Sequence, residues 1–295
     1  MLIVGGKKRA ALSETELIRA VDEEALRDLV DFVAVPRHRD AEGLENMRIG
    51  YWIRDYLENL GYQTLVQGSH RNIVAWTNGD FGPRLLVGAH YDSVPFCPGA
   101  DDNGSALAAM LLSAKVLAQQ NLPLVFVAFN SEEDGHLGSD DFVNHFLADA
   151  PFTIAVAHIL EMVGYCSHEP NSQKAPLNLP TRLPKTGDFL GILANCGSRK
   201  VQRQLLNHAR SNLPELSVKG LRALCGIENW LPVLWRSDHA AFWHNRIPAL
   251  MWTDTAEFRN PHYHKRSDLP HTLDYQFLKR VTQLLVLHLN ASSLQ

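Results

Sequence analysis

The chain has 295 residues, of which 45% are hydrophobic and 20% charged, with a formal net charge of −4 and a pI near 6.4. A chain of this length and apolar content can bury a large core, and we predict a single domain over residues 1–295. The weak negative charge and the lack of Lys/Arg runs interleaved with aromatics argue against nucleic-acid partners. No apolar stretch reaches the length of a membrane span, so a membrane partner is not expected either.

Two observations indicate the cellular compartment of the protein. Residues 1–8 hold only a short apolar stretch, and their positive charge follows it, which is unlike a signal peptide. The four cysteines are scattered and lack CxxC spacing; they are Cys97, Cys166, Cys196 and Cys225. Both observations predict a cytoplasmic protein with reduced thiols. The sequence does not indicate an oligomeric state.

The first third of the chain alternates helices and strands. Ser13 and Glu16 form a capping box for a helix that runs toward Val33. The elements predicted next are a helix over 43–60 that Gly61 ends, strands over 62–67, 72–77 and just before His90, and a helix over 105–119.

The rest of the chain continues this alternation around one irregular insertion. The predicted elements up to residue 211 are a strand over 124–129, a helix over 138–147, strands over 154–160 and 189–193, and a helix over 198–211. They are followed by a strand near 216–219, a short helix opening at 235–239, a strand over 247–252 and a helix over 273–290. This order predicts an α/β fold with a mostly parallel central sheet and helices on both faces. The insertion, at about 166–188, is typical of a substrate-binding loop or lid.

Polar side chains follow several of these strands. His90 and Asp92 come after one strand, Glu132 and Glu133 after the next, and Glu161 after a third. In open α/β sheets, ligands collect at the carboxyl ends of strands. Imidazole and carboxylate are ligand types that zinc accepts, and donors gathered from distant loops are typical of a catalytic site.

Two more segments extend this set. Asp101 lies in the chain between the His-x-Asp unit and the Glu pair, and the loop after 247–252 holds His262, His264 and Asp268. A carboxylate placed between two cations can bridge them. The sequence therefore predicts a hydrolase site with two metal ions, although Asp101-Asp102-Asn103 can also be interpreted as a helix N-cap and the Glu pair as an acidic helix start.

Five strings occur in an order that resembles a known family: GAHYDS, PGADDNGSA, FNSEEDGHLGS, SDHAAFW and NPHYHKRSD. They resemble the zinc exopeptidase family that contains the bacterial leucyl aminopeptidases, glutamate carboxypeptidase and the glutaminyl cyclases. The similarity covers about residues 50–290 and is weakest over 166–230. The fold that the resemblance implies is the α/β zinc-exopeptidase fold.

The resemblance implies two zinc ions per chain and a role for each site residue. One zinc would bind His90, Asp101 and Glu161, and the other Glu133, Asp101 and His264, so that Asp101 is the bridge. Glu132 would be the general base, and Asp92 would join it in the catalytic set by fixing the tautomer of His90. Supporting polar roles would fall to Asp102, Ser237, Asp238 and Asp268, and the Asp101–Asp102 peptide bond would be cis.

The activity implied is that of an aminopeptidase, which removes N-terminal residues from peptides with a free N-terminus by means of zinc-activated water and the Glu base. One alternative is a glutaminyl-cyclase-like acyltransferase. Another is a carboxypeptidase or dipeptidase, for which Arg182, Lys185, Arg259 and Lys265 are candidate cations. A third is an inactive binding module, against which the intact ligand set argues.

Three positions depart from the family pattern: Glu161, where Asp is more common, Lys265 directly after His264, and His271. These departures make side-chain specificity hard to predict. The remaining histidines without family support are assigned to surface or packing roles; they are His136, His158, His168, His239, His244 and His262.

Overall fold

The N-terminal segment folds as two helices, where the capping pattern predicts one. In the computed structural model, which describes residues 12–79, 82–176, 184–223, 226 and 230–292, these are α1 (Glu14–Ala20) and α2 (Glu23–Val33). The capping box at Ser13 is confirmed. The chain becomes extended at Val21, and Asp22 then starts α2 by accepting a hydrogen bond from the backbone N–H of Ala25 (3.1 Å). A second N-cap therefore divides the predicted helix.

The described residues form a sheet of eight strands in the order β1-β2-β4-β3-β5-β8-β6-β7. Strands β4, β3, β5 and β8 run parallel at its centre, β1 and β2 are antiparallel at one side, and β6 is antiparallel to β8. The mostly parallel central sheet predicted from the sequence is confirmed. The bounds are β1 (Gln63–Gln67), β2 (Asn72–Trp76), β3 (Arg84–His90), β4 (Leu124–Phe129), β5 (Ile154–Glu161), β6 (Leu190–Ala194), β7 (Val218–Arg222) and β8 (Ala249–Thr253).

Helices cover both faces of the sheet. The remaining helices are α3 (Gly43–Asn59), α4 (Ala106–Leu117), α5 (Leu137–Asp141), α6 (Arg199–Asn212), α7 (His239–His244) and α8 (Tyr275–Ser292). Nearly every residue of α4 is buried, which explains its Ala- and Leu-rich composition. The larger apolar cluster includes residues of α1, α2, α3, α4, α6 and α8, and a second includes residues of α7 and of the segment 142–147 that follows α5. Among the described helices, none is long and apolar enough to cross a membrane.

The cysteines differ from the sequence-based expectation at one position. Cys196 is disulfide-bonded, whereas Cys97 and Cys166 are free thiols. Cys225 lies outside the described residues. The expectation of reduced thiols is therefore wrong for Cys196, because chain spacing says nothing about which cysteines meet in space. Cytoplasmic localisation, which rested partly on that expectation, stays a prediction.

Three histidines meet inside the fold, away from the strand ends described below. His158 on β5 and His288 on α8 are fully buried, with their ring centroids 5.1 Å apart. His208 on α6 places its Nδ1 3.1 Å from Nδ1 of His288. Trp252 Nε1 donates a hydrogen bond to His158 Nδ1 (3.3 Å). Packing is thus the role of His158, as predicted.

Candidate active site

The polar residues predicted at strand ends come together at one edge of the sheet. His90 ends β3, Glu161 ends β5, the Glu132–Glu133 pair follows β4, and His264 lies in the loop after β8. Because β4, β3, β5 and β8 are neighbours in the sheet, their carboxyl ends bring these side chains into one cluster.

Asp102, rather than Asp101, lies at the centre of this cluster. Asp102 Oδ1 is 3.3 Å from His90 Nε2, and Asp102 Oδ2 is 3.2 Å from His264 Nε2. The two oxygens of one carboxylate therefore face the two histidines. This is the bridging position that the resemblance assigned to Asp101, so that assignment is wrong by one residue.

The side chain of Asp101 is used to hold the backbone around the site. Its Oδ1 accepts hydrogen bonds from the Gly164 N–H (3.0 Å) and the Ser105 hydroxyl (2.9 Å), and its Oδ2 accepts one from Asn260 Nδ2 (2.7 Å). The tight turn over residues 100–105 separates the directions of the two neighbouring aspartates, because Asp102 itself has non-helical dihedrals. The cis peptide bond is Asp102–Asn103, one residue later than expected.

Asp92 holds the Glu132–Glu133 pair in place and also lies near His90. Its two carboxylate oxygens accept hydrogen bonds from the backbone N–H of Glu132 (3.2 Å) and of Glu133 (3.1 Å). Asp92 Oδ1 also lies 3.4 Å from His90 Nδ1. The Glu133 carboxylate reaches the second histidine, with Oε2 3.2 Å from His264 Nε2. Glu132 Oε2 lies 3.9 Å from His90 Nε2.

The residues predicted to support the site are close to it. Ser237 donates from its hydroxyl to Glu161 Oε2 (2.8 Å), and that oxygen lies 3.5 Å from His90 Nε2. Asp268 accepts hydrogen bonds from the backbone N–H groups of Asp101 and Asp102, which fixes the turn. Asp238 is fully buried, neither of its carboxylate oxygens has a hydrogen-bond partner in the described part of the chain, and burial raises its pKa to about 8.

Because many acidic groups are buried close together, the pKa values of the residues in the cluster are shifted. Burial, followed by the charge of Asp102, raises the pKa of Glu133 to about 8, and burial raises that of Glu161 to about 7. Burial alone would lower the pKa of His90 and of His264. The nearby carboxylates outweigh burial, so the pKa of His90 lies well above its usual value and that of His264 is about 10. Such a cluster favours positive charge at its centre.

His136 belongs to the site although sequence reasoning assigned it to the surface or to packing. Its Nε2 lies 3.2 Å from Glu132 Oε1. Burial alone would lower the pKa of His136, but the contact with Glu132 and the charges of Glu132 and Asp238 raise it to about 9. The four-residue spacing from Glu132 is a signal that could have indicated the contact, since side chains four apart meet on a helical turn.

Next to the cluster lies a cavity of about 960 Å³. Asp102, Glu132, Glu133, Glu161 and His264 line one part of it. Most of the remaining lining is apolar and includes Phe189, Leu193, Leu206, Leu216, Val218, Leu221, Leu234, Met251 and Phe258. Pro176 and Pro184, one from each described arm of the insertion, also line the cavity, so the insertion does lie beside the site.

The two arms of the insertion are joined to each other and to the loop after β8. The Gln173 N–H donates to the Lys185 carbonyl (3.0 Å), and the Lys174 N–H donates to the Phe258 carbonyl (2.7 Å). Arg259 is buried against Phe189, with its guanidinium 4.5 Å from the ring centroid. The wall of the cavity at this side is therefore a packed structure.

The remaining candidates from the sequence contribute less. Arg259 is buried and donates to Gln173 Oε1, and Lys265 donates to the Pro261 carbonyl, so both cations have partners away from the cluster. Arg182 lies outside the described residues. The Cys97 thiol donates to the Lys265 carbonyl, and burial raises its pKa to about 12, which argues against a nucleophilic thiolate.

The donor set fits zinc. His90, Asp102 and Glu133 offer three ligand atoms within 4.8 Å of one another, and so do His90, Glu132 and Glu161. Two buried atoms of residues in the cluster, His90 Nε2 and Glu133 Oε1, have no hydrogen-bond partner among the described residues. Buried polar atoms are rarely left unpaired, and imidazole nitrogen and carboxylate oxygen are ligands that zinc binds.

Comparison with known proteins identifies the family to which the chain belongs. Residues 72–191 match the model of peptidase family M28. The uncharacterized protein YfbL of Escherichia coli is 32% identical over 89% of this chain and 86% of its own length. The chain belongs to peptidase family M28.

Two solved structures share the fold. The LapA aminopeptidase of Legionella pneumophila superposes with a TM-score of 0.75 at 19% identity, covering 99% of this chain and 78% of LapA. A zinc aminopeptidase from Bacillus subtilis superposes with a TM-score of 0.55 at 25% identity, covering 75% of this chain and 50% of that enzyme. The α/β architecture predicted from the sequence is thus that of known peptidases.

Proposed function

We propose that this protein is a zinc-dependent aminopeptidase that holds two zinc ions per chain. The observation that carries the proposal is the placement of Asp102 between His90 and His264, with one carboxylate oxygen facing each. One zinc would be held by His90, Asp102 and Glu161, and the other by Asp102, Glu133 and His264. In this assignment Asp101 is not a ligand, because its carboxylate accepts hydrogen bonds from Gly164, Ser105 and Asn260.

When bound, zinc would polarise the scissile carbonyl and make the attacking water more acidic. The protein's own side chains transfer the proton and hold the reacting groups in position. Glu132 accepts the proton of the water and delivers it to the departing amine, so that one carboxyl group acts first as base and then as acid. Asp92 keeps Glu132 and Glu133 in place through their backbone N–H groups. Ser237 orients Glu161.

The cavity favours a particular class of substrate. Its lining beyond the carboxylates is mainly apolar, and an apolar side chain gains free energy when it leaves water. We therefore propose peptides with a free N-terminus and an apolar first residue as substrates. A panel of aminoacyl amides with Leu, Phe, Asp and Lys tests this preference, and equal rates for Leu and Asp would contradict it.

Metal analysis tests the site directly. The protein purified without chelator, or reloaded with zinc after dialysis, should contain two zinc ions per chain. Asp102→Asn should lower the zinc content, whereas Asp101→Asn is the matched control that changes the neighbouring carboxylate and should retain zinc. Two zinc ions in the Asp102→Asn variant would overturn the ligand assignment.

Three synthetic peptides separate the enzymatic alternatives. Mass spectrometry should show stepwise N-terminal trimming of a peptide with a free N-terminus and no cleavage of its acetylated form. Loss of ammonia from an N-terminal Gln without chain cleavage would indicate a glutaminyl cyclase. Cleavage of the acetylated peptide from its other end would indicate a carboxypeptidase. No turnover of any of them with zinc supplied would indicate a binding module.

A further inference from the structure

The loop that carries the Glu pair folds back on itself at His136. His136 adopts a left-handed backbone conformation (φ 63°), directly after Gly135, whose φ is 101°. The backbone N–H groups of both residues donate to the carbonyl of Glu132, at 2.9 Å from Gly135 and 2.8 Å from His136. Ser139 donates from its hydroxyl to the His136 carbonyl (3.1 Å). The backbone therefore holds residues 132 and 136 at a fixed separation.

The side chains of the same two residues make a second contact. His136 Nε2 lies 3.2 Å from Glu132 Oε1, while the other carboxylate oxygen, Oε2, faces His90 Nε2 at 3.9 Å. The His136 side chain is 26% exposed, and both residues line the cavity. Each oxygen of the Glu132 carboxylate thus has a different neighbour.

A glutamate side chain on a loop can rotate about its terminal bonds, because the torsion next to a carboxylate has broad minima. A donor on Oε1 removes much of this freedom. Catalytic groups lose efficiency when they are misplaced by as little as 1 Å, so the restriction matters for proton transfer. Asp92 fixes only the backbone of Glu132, which leaves His136 as the described side chain that contacts its carboxylate on the side away from His90.

We propose that His136 is a positioning residue for Glu132: its Nε2–H donates to Oε1 and keeps Oε2 directed toward His90, where the proton of the attacking water is taken up. The proposal rests on the proposed function, in which Glu132 is the base. It does not require His136 to touch the substrate, and His136 donates equally well as neutral imidazole with the proton on Nε2.

Two variants separate the hydrogen bond from simple packing. His136→Leu keeps an apolar side chain without a donor, and His136→Gln restores an N–H donor at similar reach. We expect His136→Leu to lower kcat about 10- to 100-fold with KM changed less than about twofold, and His136→Gln to recover most of kcat. Zinc content and the thermal midpoint should match the unmodified protein. His145→Leu, an exposed histidine further along the same segment (76% exposed), is the control.

A crystal structure of each zinc-loaded protein provides a readout independent of activity. In the unmodified protein and in His136→Gln, Glu132 Oε1 should lie within hydrogen-bond distance of residue 136. In His136→Leu the Glu132 carboxylate should be rotated or split between conformers. An unmoved carboxylate in His136→Leu, or full kcat in that variant, would overturn the proposal, as would equal loss of kcat in both variants. Absence of turnover by the unmodified protein refutes the aminopeptidase function instead, and the carboxylate position still tests His136.

Discussion

Mild acid should destabilise this fold through His158, a buried histidine whose pKa is shifted by burial alone. The groups that face it are His288, Trp252 and, beyond His288, His208, none of which carries negative charge. Burial lowers the pKa of His158 to about 3. Burial, followed by the two neighbouring histidines, lowers the pKa of His288 well below its usual value. Both rings are therefore neutral in the folded protein.

The sign and size of the effect follow from proton linkage. Below the usual histidine pKa of about 6.5, the unfolded chain binds a proton at residue 158 and the folded chain does not. Stability is fully present above that pH and is lost as the pH falls toward the folded pKa near 3. The free energy of unfolding falls by about 1.4 kcal/mol per pH unit in this window, which is about 2 kcal/mol between pH 7 and pH 5 for His158 alone.

Urea unfolding at pH 7 and pH 5, in the presence of chelator, measures this loss. His158→Gln keeps an acceptor for the indole N–H of Trp252 and does not titrate, so it should lose about 2 kcal/mol less between the two pH values than the unmodified protein. His271→Gln, at an exposed position, is the control. If His158→Gln loses as much stability on acidification as the unmodified protein, the assignment of a neutral buried histidine is refuted.

Three further predictions concern the site. Glu132→Gln should retain zinc and lose about 10²- to 10⁴-fold in kcat, as measured by steady-state kinetics and metal analysis; normal activity would exclude Glu132 as the base. Glu133→Gln should instead lower the zinc content, and a variant that retains all its zinc but loses kcat would mean that the roles of the pair are reversed. Zinc at about 1,000 times its Kd should stabilise the chelator-treated protein by about 4 kcal/mol, seen as a higher thermal midpoint. An unchanged midpoint would contradict zinc binding to the folded state.

Most of the sheet could be predicted because its strands are short apolar runs bounded by turns, and such runs identify buried strands well. The division between α1 and α2 could not, since Val21 and Asp22 form neither a Gly nor a Pro break. Asp22 starts a helix only because the chain turns there to pack α1 and α2 separately on α8. A single polar residue within an amphipathic pattern does not reveal such a turn.

In the site, residue type could be predicted better than residue position. Asp101 and Asp102 are chemically identical neighbours, and the turn over 100–105 decides which of them faces His90 and His264. Nothing in the spacing distinguishes the two. The contact between His136 and Glu132 was within reach of sequence reasoning from its four-residue spacing, but a lone histidine without a metal-ligand pattern has many possible roles.

The position of β8 in the sheet determines when the sheet can be completed during synthesis of the chain. Along the described part of the chain it is the last strand, yet it lies inside the sheet and joins β5 to the β6–β7 pair. Until residues 249–253 have left the ribosome, β5 has an unpaired apolar edge and β6 has no pairing with the described central strands. His264 emerges later still, so under the proposed assignment the second zinc site cannot form before the loop after β8 has been synthesised. A chain arrested before β8 presents an open sheet edge of the kind that promotes aggregation.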